Sequence, residues 1–193
     1  MCRTLLAYLM QFEKTDSLTQ ENITKFPLAV YAAKFWTHHA EATRPGREDL
    51  HTAIMGLLRP QSAEYLNCIR IYNPDFFWRR SLGDFDIVPA PPLYYASLGG
   101  MEKIAQMLIQ YHANVNAEGG EYGTALQAAS AGGHEAIVRL LVENHANINA
   151  EGGKYGNALY AASARGHEAI VQLLENHANV HAEGVLVNAL TSD

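Results

Sequence analysis

The stretch "EGGEYGTALQAAS" at Glu118–Ser130 occurs a second time as "EGGKYGNALYAAS" at Glu151–Ser163, 33 residues further along the chain. The leucines Leu93, Leu126 and Leu159 mark the same period. Self-similarity at a period of this length is typical of repeat architectures. We therefore divide the chain into an N-terminal region, 1–90, and a repeat region, 91–193, with copies at about 91–123, 124–156 and 157–187 and a partial fourth copy at 188–193.

Each copy predicts two short helices joined by a turn. In the second copy, Leu126 and Ala129 belong to the first helix, and Gly132 and Gly133 separate it from the second. The second helix carries apolar residues at the spacing of one helical face, namely Ile137, Val138, Leu140 and Leu141. A unit of this size cannot bury its own apolar stripe, so we expect the copies to stack on one another.

These copies resemble ankyrin repeats. They share the period, a T-A-L-x-A-A opening at Thr124, G-H-E before the second helix, I-V-x-L-L within it and A-N-I-N-A after it. The resemblance covers the chain from Pro91 to its C-terminus. It implies an all-α fold, a solenoid of helix-turn-helix repeats with projecting β-hairpin fingers, preceded by a helical N-terminal region.

Two positions in each copy depart from the ankyrin pattern. The histidine of the T-P-L-H motif, which commonly makes a supporting hydrogen bond in the family, is replaced by Tyr94, Gln127 and Tyr160. The helix-ending glycine is replaced by a histidine, which tolerates positive φ only modestly, at His112, His145 and His177. The third copy also lacks one residue, which predicts a shifted or shortened end of its second helix. We expect the short apolar tail after it to fray or to dock elsewhere.

The glycine-rich segments can also be compared with a phosphate-binding loop. That loop needs the pattern Gly-x-x-x-x-Gly-Lys-Ser/Thr, so that backbone N–H groups, a lysine and a hydroxyl converge. Here Ile148 stands in place of the first glycine, and Tyr155 follows Lys154. Three glutamates in these segments would repel phosphate. The sequence therefore predicts turns between packed helices.

The N-terminal region predicts three helices from apolar stripes at helical spacing. The stripes consist of Leu28, Tyr31, Ala32, Phe35, Trp36 and His39; of Leu50, Ala53, Ile54, Leu57 and Leu58; and of Ala63, Leu66 and Ile69. The segments "FPLAVYAAKFWTHHA" and "EYLNCIRIYNPD" resemble the part that precedes the repeats in fungal NACHT–ankyrin proteins, which are NLR-like signalling NTPases. This chain has no P-loop, so the resemblance implies a stand-alone relative or a C-terminal piece of such an architecture. We expect the region to cap the first repeat.

No pattern in the chain predicts catalysis or metal binding. Nine histidines are present, but stacked repeats place equivalent residues about 10 Å apart. Shared zinc ligation needs Zn–N distances of about 2.0–2.1 Å. Gly-x-Ser-x-Gly, His-Glu-x-x-His and Cys-x-x-Cys motifs are absent, and Asp84 and Asp86 are interpreted as surface carboxylates. We predict no catalytic residue, no metal and no cofactor.

The charge and the cysteine content indicate the cellular location and the classes of binding partner to expect. Residues 91–193 contain four basic and ten acidic side chains, which account for the whole net charge of −6. Such a surface repels nucleic acid. Cys2 and Cys68 match no ligand spacing and predict reduced thiols. The N-terminal apolar run is too short to span a bilayer. We expect an intracellular monomer, cytoplasmic or nuclear, with neither a nucleic-acid nor a membrane partner.

The predicted function is binding of another protein, one with a basic surface. In ankyrin proteins, partners bind the concave face formed by the fingers and inner helices. Mapped onto this chain, that face consists of Glu118, Glu121, Tyr122, Glu151, Lys154, Tyr155 and Arg165. The two finger tyrosines either pack on their own fingers or anchor the partner. The competing hypothesis is a regulatory piece of an NLR-like protein with no ligand of its own.

Overall fold

A computed structural model describes residues 1–14, 18–19, 21–42, 48–76 and 88–177. In the N-terminal region it contains α1 (Cys2–Met10), α2 (Ala29–Glu41), α3 (Glu48–Leu57) and α4 (Ala63–Ile71), with short 3-10 helices at Ile23–Lys25 and Pro74–Phe76. The repeat region contains α5 (Pro92–Leu98), α6 (Glu102–Gln110), α7 (Ala125–Gly132), α8 (Glu135–Glu143), α9 (Ala158–Ala164) and α10 (168–177). The predicted all-α ankyrin solenoid is confirmed. The tail, the partial fourth copy, Asp84 and Asp86 lie outside the described residues.

The N-terminal helices enclose one apolar core. Helix α1 packs on α2 and α3, and α4 packs on α2. Leu6, Leu9 and Phe12 are fully buried where these helices meet. The buried amide of Asn67 donates to the carbonyls of Phe12 at 3.0 Å and Lys14 at 2.8 Å, which fixes the chain after α1.

The predicted buried face of α2 is partly wrong. Leu28, Tyr31 and Phe35 are substantially exposed, and the buried face consists instead of Trp36 and small residues, namely Ala29, Ala32, Ala33 and Ala40. Alanines let neighbouring helices approach closely, because the distance between helix axes depends on the side chains at the contact. Leu28, Tyr31 and Phe35 remain on the outer surface, whereas Trp36 is the one large side chain of the described helix that is buried with the alanines.

The repeats stack through two rows of helices. The first helices α5, α7 and α9 form the inner row, and the second helices α6 and α8 pack beside them. Thr124 begins α7 with a capping box, because its side chain accepts from the N–H of Gln127 while the Gln127 side chain accepts from the N–H of Thr124.

The histidines that replace helix-ending glycines adopt positive φ in the first two copies, as predicted. The φ values are 63° at His112 and 65° at His145. The same prediction is wrong for His177, which is still helical. The residue missing from the third copy places this histidine one position earlier, in the last described turn of α10. The end of that helix lies outside the described residues, so its predicted shift or shortening stays a prediction.

The N-terminal region contacts the first repeat through α2 and α6. The carboxylate of Glu41 accepts from the N–H of Ile104 at 3.1 Å and of Lys103 at 3.4 Å, at the start of α6. The Lys103 ammonium donates to the carbonyl of Glu41. A carboxylate at a helix N-terminus is stabilising because the N–H groups there lack helical partners. These contacts support the capping role, which stays a prediction.

Candidate finger site

The glycine-rich segments form two tight fingers between inner-row helices. A single antiparallel bridge closes each of them, Glu118 with Thr124 and Gly152 with Gly156. These described fingers are therefore one-bridge loops, shorter than the β-hairpins that the resemblance implies. The N–H of Gly119 donates to Gly123, and that of Gly152 to Gly156, both at 2.7 Å. Because backbone donors of the loops bond loop carbonyls, the turn prediction is confirmed.

The second finger lies directly against the first. The N–H of Lys154 donates to the carbonyl of Glu121 at 2.9 Å. Gly153 has a φ of 62°, and a Cβ added there would lie 2.1 Å from the carbonyl oxygen of Tyr122. A glycine is required at this position, because no larger residue could keep both the backbone conformation and the contact.

Two of the residues that replace the family's histidine, Gln127 and Tyr94, form hydrogen bonds to the fingers. The Gln127 side-chain amide donates to the carbonyls of Gly152 at 3.0 Å and Gly156 at 3.1 Å, and also to that of Ala150. Gln127 is buried, so these bonds fix the base of the second finger. The sequence showed this departure from the motif but not its consequence.

Tyr94 forms hydrogen bonds to the first finger, together with Asp75 of the N-terminal region. Its hydroxyl accepts from the N–H of Tyr122 at 3.1 Å and donates to the Asp75 carboxylate at 2.5 Å. The other Asp75 oxygen accepts from the N–H of Glu121 at 3.4 Å. Asp75 is buried, and desolvation raises its pKa, an effect that the hydrogen bonds from Tyr94 and Glu121 partly offset. An aspartate of the N-terminal region thus supports the first finger.

Three tyrosines form a row across the fingers and the start of α9. The rings of Tyr122 and Tyr155 are stacked, with centroids 5.9 Å apart and an interplanar angle of 18°. The rings of Tyr155 and Tyr160 are 6.2 Å apart and tilted by 51°. We call these three residues the tyrosine row. Tyr122 and Tyr155 thus contact each other between the two fingers, and the alternative that they anchor a partner stays a prediction.

The charged residues predicted for the site have two different roles. Lys154 pairs with Glu121 at 2.6 Å, and its ammonium lies 5.9 Å from the Tyr122 ring centroid. The hydrogen bond to Glu121 and the charge of that residue raise the pKa of Lys154. Glu118 and Glu151 are exposed. Because the Glu121–Lys154 pair is neutral as a whole, the carboxylates of Glu118 and Glu151 make this part of the surface negative.

Arg165 is the predicted site residue that lies apart from the others. It is exposed and follows the last residue of α9, whereas Tyr155 and Tyr160 lie at the beginning of that helix. A helix of this length separates its two ends by about 10 Å. Direct contacts join four of the seven predicted residues, namely Glu121, Tyr122, Lys154 and Tyr155, and add Tyr160, which the prediction omitted. Glu118 and Glu151 belong to the same two finger segments.

The other reactive side chains of the described residues are in structural positions. The imidazole nitrogens of His134 and His167 donate to the carbonyls of Leu98 at 3.1 Å and Ala131 at 3.3 Å, which ties each repeat to the one before it. No group of three metal-ligating side chains occurs in the described part of the chain.

Cys2 and Cys68 are buried and free, and burial raises the pKa of the Cys68 thiol to about 12. None of the helices within the described ranges has the length and apolar character needed to cross a bilayer.

The comparison with protein families agrees with the repeat architecture. Residues 93–184 match the family model for ankyrin repeats in three copies. The azaphilone pigments biosynthesis cluster protein L of Monascus ruber is 39% identical over 139 residues, which cover 64% of this chain and 28% of that protein. The chain thus corresponds to less than a third of that relative's length. The crystal structure of the human ASB11 ankyrin repeat domain is 30% identical, covering 45% of this chain and 39% of that one, with a TM-score of 0.42.

Proposed function

We propose that this chain, whose residues 93–184 match ankyrin repeats, is a protein-interaction module that binds its partner on the finger face. This face consists of the tyrosine row together with Glu118, Glu121, Glu151 and Lys154. Ankyrin repeats are a protein-binding architecture, and their stacked units provide extended binding surfaces. The module acts by binding, as an intracellular monomer, and needs neither a cofactor nor a metal.

The stacked tyrosines carry this proposal. Tyr122 and Tyr155 hold each other in place, and Tyr160 beside them is 59% exposed. Aromatic side chains that are already ordered lose little conformational entropy when a partner covers them. Tyrosine is also enriched among the residues that contribute most to binding energy. The row therefore supplies the anchors that a stable interface requires.

The charge of the face favours a basic partner. Glu121 is neutralised by Lys154, whereas Glu118 and Glu151 are exposed at the bases of the two fingers. Complementary charge accelerates association and selects between partners more than it adds affinity. We therefore propose a partner with lysine or arginine side chains around an apolar centre. Arg165, about one helix length away, would contact the periphery of that partner.

Site-specific photo-crosslinking tests the proposal. A photoreactive phenylalanine analogue replaces Tyr155 in the full chain, and in a second variant it replaces Tyr111. Tyr111 is the matched control, because it is a 61% exposed tyrosine at the end of α6, away from the fingers. We expect one protein to be crosslinked from position 155 and not from position 111.

Substitutions then show whether the captured protein uses this face. Tyr122→Ala, Tyr155→Ala and Glu151→Lys combined in one variant should abolish its binding to the purified chain, and Tyr111→Ala should leave binding unchanged. Adducts that are the same from both positions, or binding that survives the triple substitution, would show that the finger face is not the interface.

A second candidate function is a regulatory role within a longer protein. It rests on the resemblance of the N-terminal region to the segment that precedes the repeats in NACHT–ankyrin proteins. In this case the finger face would contact another domain of the same polypeptide. An adjoining NTPase reading frame whose isolated product binds the chain, and loses that binding in the triple variant, would support it.

A further inference from the structure

A cavity of about 180 Å³ lies where the N-terminal region meets the first repeat. Helices α2 and α4 form one side, and α5 and α6 form the other. Small residues contribute to its walls from two segments, namely Ala33 in α2 and Ala96 and Gly99 in and directly after α5. Ligand sites occur preferentially at such junctions between structural units. The cavity is separate from the finger face, so a ligand bound in it would not depend on the proposed interaction.

The inner walls are apolar or neutral. Trp36 and Ile104 line the cavity together with Cys68, whose thiol stays protonated at neutral pH because burial raises its pKa. The two buried tyrosine hydroxyls in the lining already have backbone partners. Tyr65 donates to the carbonyl of Ala90 at 2.5 Å, and Tyr95 accepts from the N–H of Ala90 at 3.4 Å. Such walls offer few hydrogen bonds to water and suit an apolar group.

One charged side chain lines the cavity among the described residues, and it is a cation. Lys34 is exposed, so it lies at the rim. Its ammonium is 5.3 Å from the ring centroid of Phe35 and 5.9 Å from that of Tyr72, which keeps it over two aromatic faces. No ion pair joins Lys34 to a carboxylate within the described part of the chain. Thr37, whose hydroxyl can donate a hydrogen bond, also lines the cavity.

We propose that this cavity binds a small aromatic carboxylate, with the ring between α2 and α5 and the carboxylate at Lys34. An apolar cavity of about 150 Å³ accommodates benzene, so the present volume corresponds to roughly one ring. The rim places a positive charge where the polar end of such a ligand would emerge, and the Thr37 hydroxyl can donate to the same carboxylate. A neutral aromatic of the same size would fill the cavity but leave Lys34 unpaired.

Methionine-methyl NMR of the full chain tests the proposal with benzoate as the probe. Met101 directly precedes α6 and lines the cavity, whereas Met107 is buried within α6 outside the lining and serves as the internal control. We expect benzoate to shift the Met101 methyl signal saturably, with a dissociation constant on the order of millimolar, as suits a ligand of this size. The Met107 signal should stay in place. Equal shifts of both signals, or no saturation, would overturn the proposal.

Two further comparisons separate the roles of the ring and the charge. Benzamide, a neutral molecule of the same shape, should bind about fivefold more weakly than benzoate, as expected for a solvent-accessible ion pair. Lys34→Met should remove this preference without affecting benzamide. Ala33→Leu, which fills the cavity, should abolish the Met101 shift with both compounds. Equal affinity for the two compounds in the unmodified chain would contradict the assignment to Lys34. If Ala33→Leu does not fold, the comparison of Met101 with Met107 still decides whether the cavity is occupied.

Discussion

The ring of Tyr122 stacks on that of Tyr155 at 5.9 Å, although the two residues belong to different fingers and are 33 positions apart. Equivalent residues of neighbouring repeats thus contact each other directly at this point of the solenoid. The adjoining Glu121–Lys154 pair joins the same two fingers. The contacts between the fingers therefore include an aromatic pair and an ion pair next to the main-chain hydrogen bond.

The first prediction concerns this aromatic pair. Tyr155→Ala should lower the free energy of unfolding by about 0.5–1.5 kcal/mol beyond the effect of lost apolar burial, the typical contribution of such ring pairs. Tyr155→Phe keeps the ring and should be nearly neutral. Urea unfolding measures both, with Tyr111→Ala as the exposed control. An equal loss in the Ala and Phe variants would mean that the stacking contributes nothing.

The second prediction concerns the support of the second finger. Gln127→Ala removes the donor to the Gly152 and Gly156 carbonyls and the acceptor of the Thr124 N–H. It should cost about 1–3 kcal/mol, because Thr124 is buried and its N–H is left without a partner. Hydrogen exchange at the Gly152 amide should accelerate as the finger loosens. Gln127→His, which restores the family's residue, should retain most of the stability. Unchanged Gly152 exchange in the alanine variant would contradict the role assigned to Gln127.

The third prediction concerns the left-handed histidine after α8. His145 has a φ of 65°, where a residue with a Cβ is strained by about 1–2 kcal/mol. His145→Gly removes this strain but loses some stability through the greater freedom of glycine in the unfolded chain. We expect a net gain of about 1 kcal/mol in thermal or urea unfolding. His145→Ala keeps the Cβ and should give no gain, so a similar gain in both variants would exclude strain as the cause.

The fourth prediction concerns the buried carboxylate beneath the first finger. Burial raises the pKa of Asp75 in the folded state, so the folded chain binds its proton more tightly than the unfolded chain. The contribution of Asp75 to stability is therefore complete at a pH below its pKa in the unfolded chain. It is lost as the pH rises through its pKa in the folded chain. The difference in unfolding free energy between the wild type and Asp75→Asn should shrink from pH 3 towards neutrality. A difference that grows with pH would show that hydrogen bonding outweighs desolvation.

The period and the apolar spacing of the sequence predicted the helices and turns, because both follow from local residue patterns. The tyrosine row could not be predicted in the same way, since the distance between Tyr122 and Tyr155 depends on how neighbouring repeats pack. The α2 interface was partly mispredicted because large apolar residues suggested burial, whereas the alanines allow the closest packing. Asp75 carried no signal, because a single aspartate after a proline is typical of a surface turn.

The bond between Asp75 and Tyr94 has a consequence for how the solenoid can be rearranged. Repeats in such arrays are often regarded as interchangeable units that can be duplicated, deleted or shuffled. The second copy supports its finger with its own Gln127, but the first depends on a residue that no repeat contains. The first copy is therefore tied to its position, and new units could be inserted after it but not in its place.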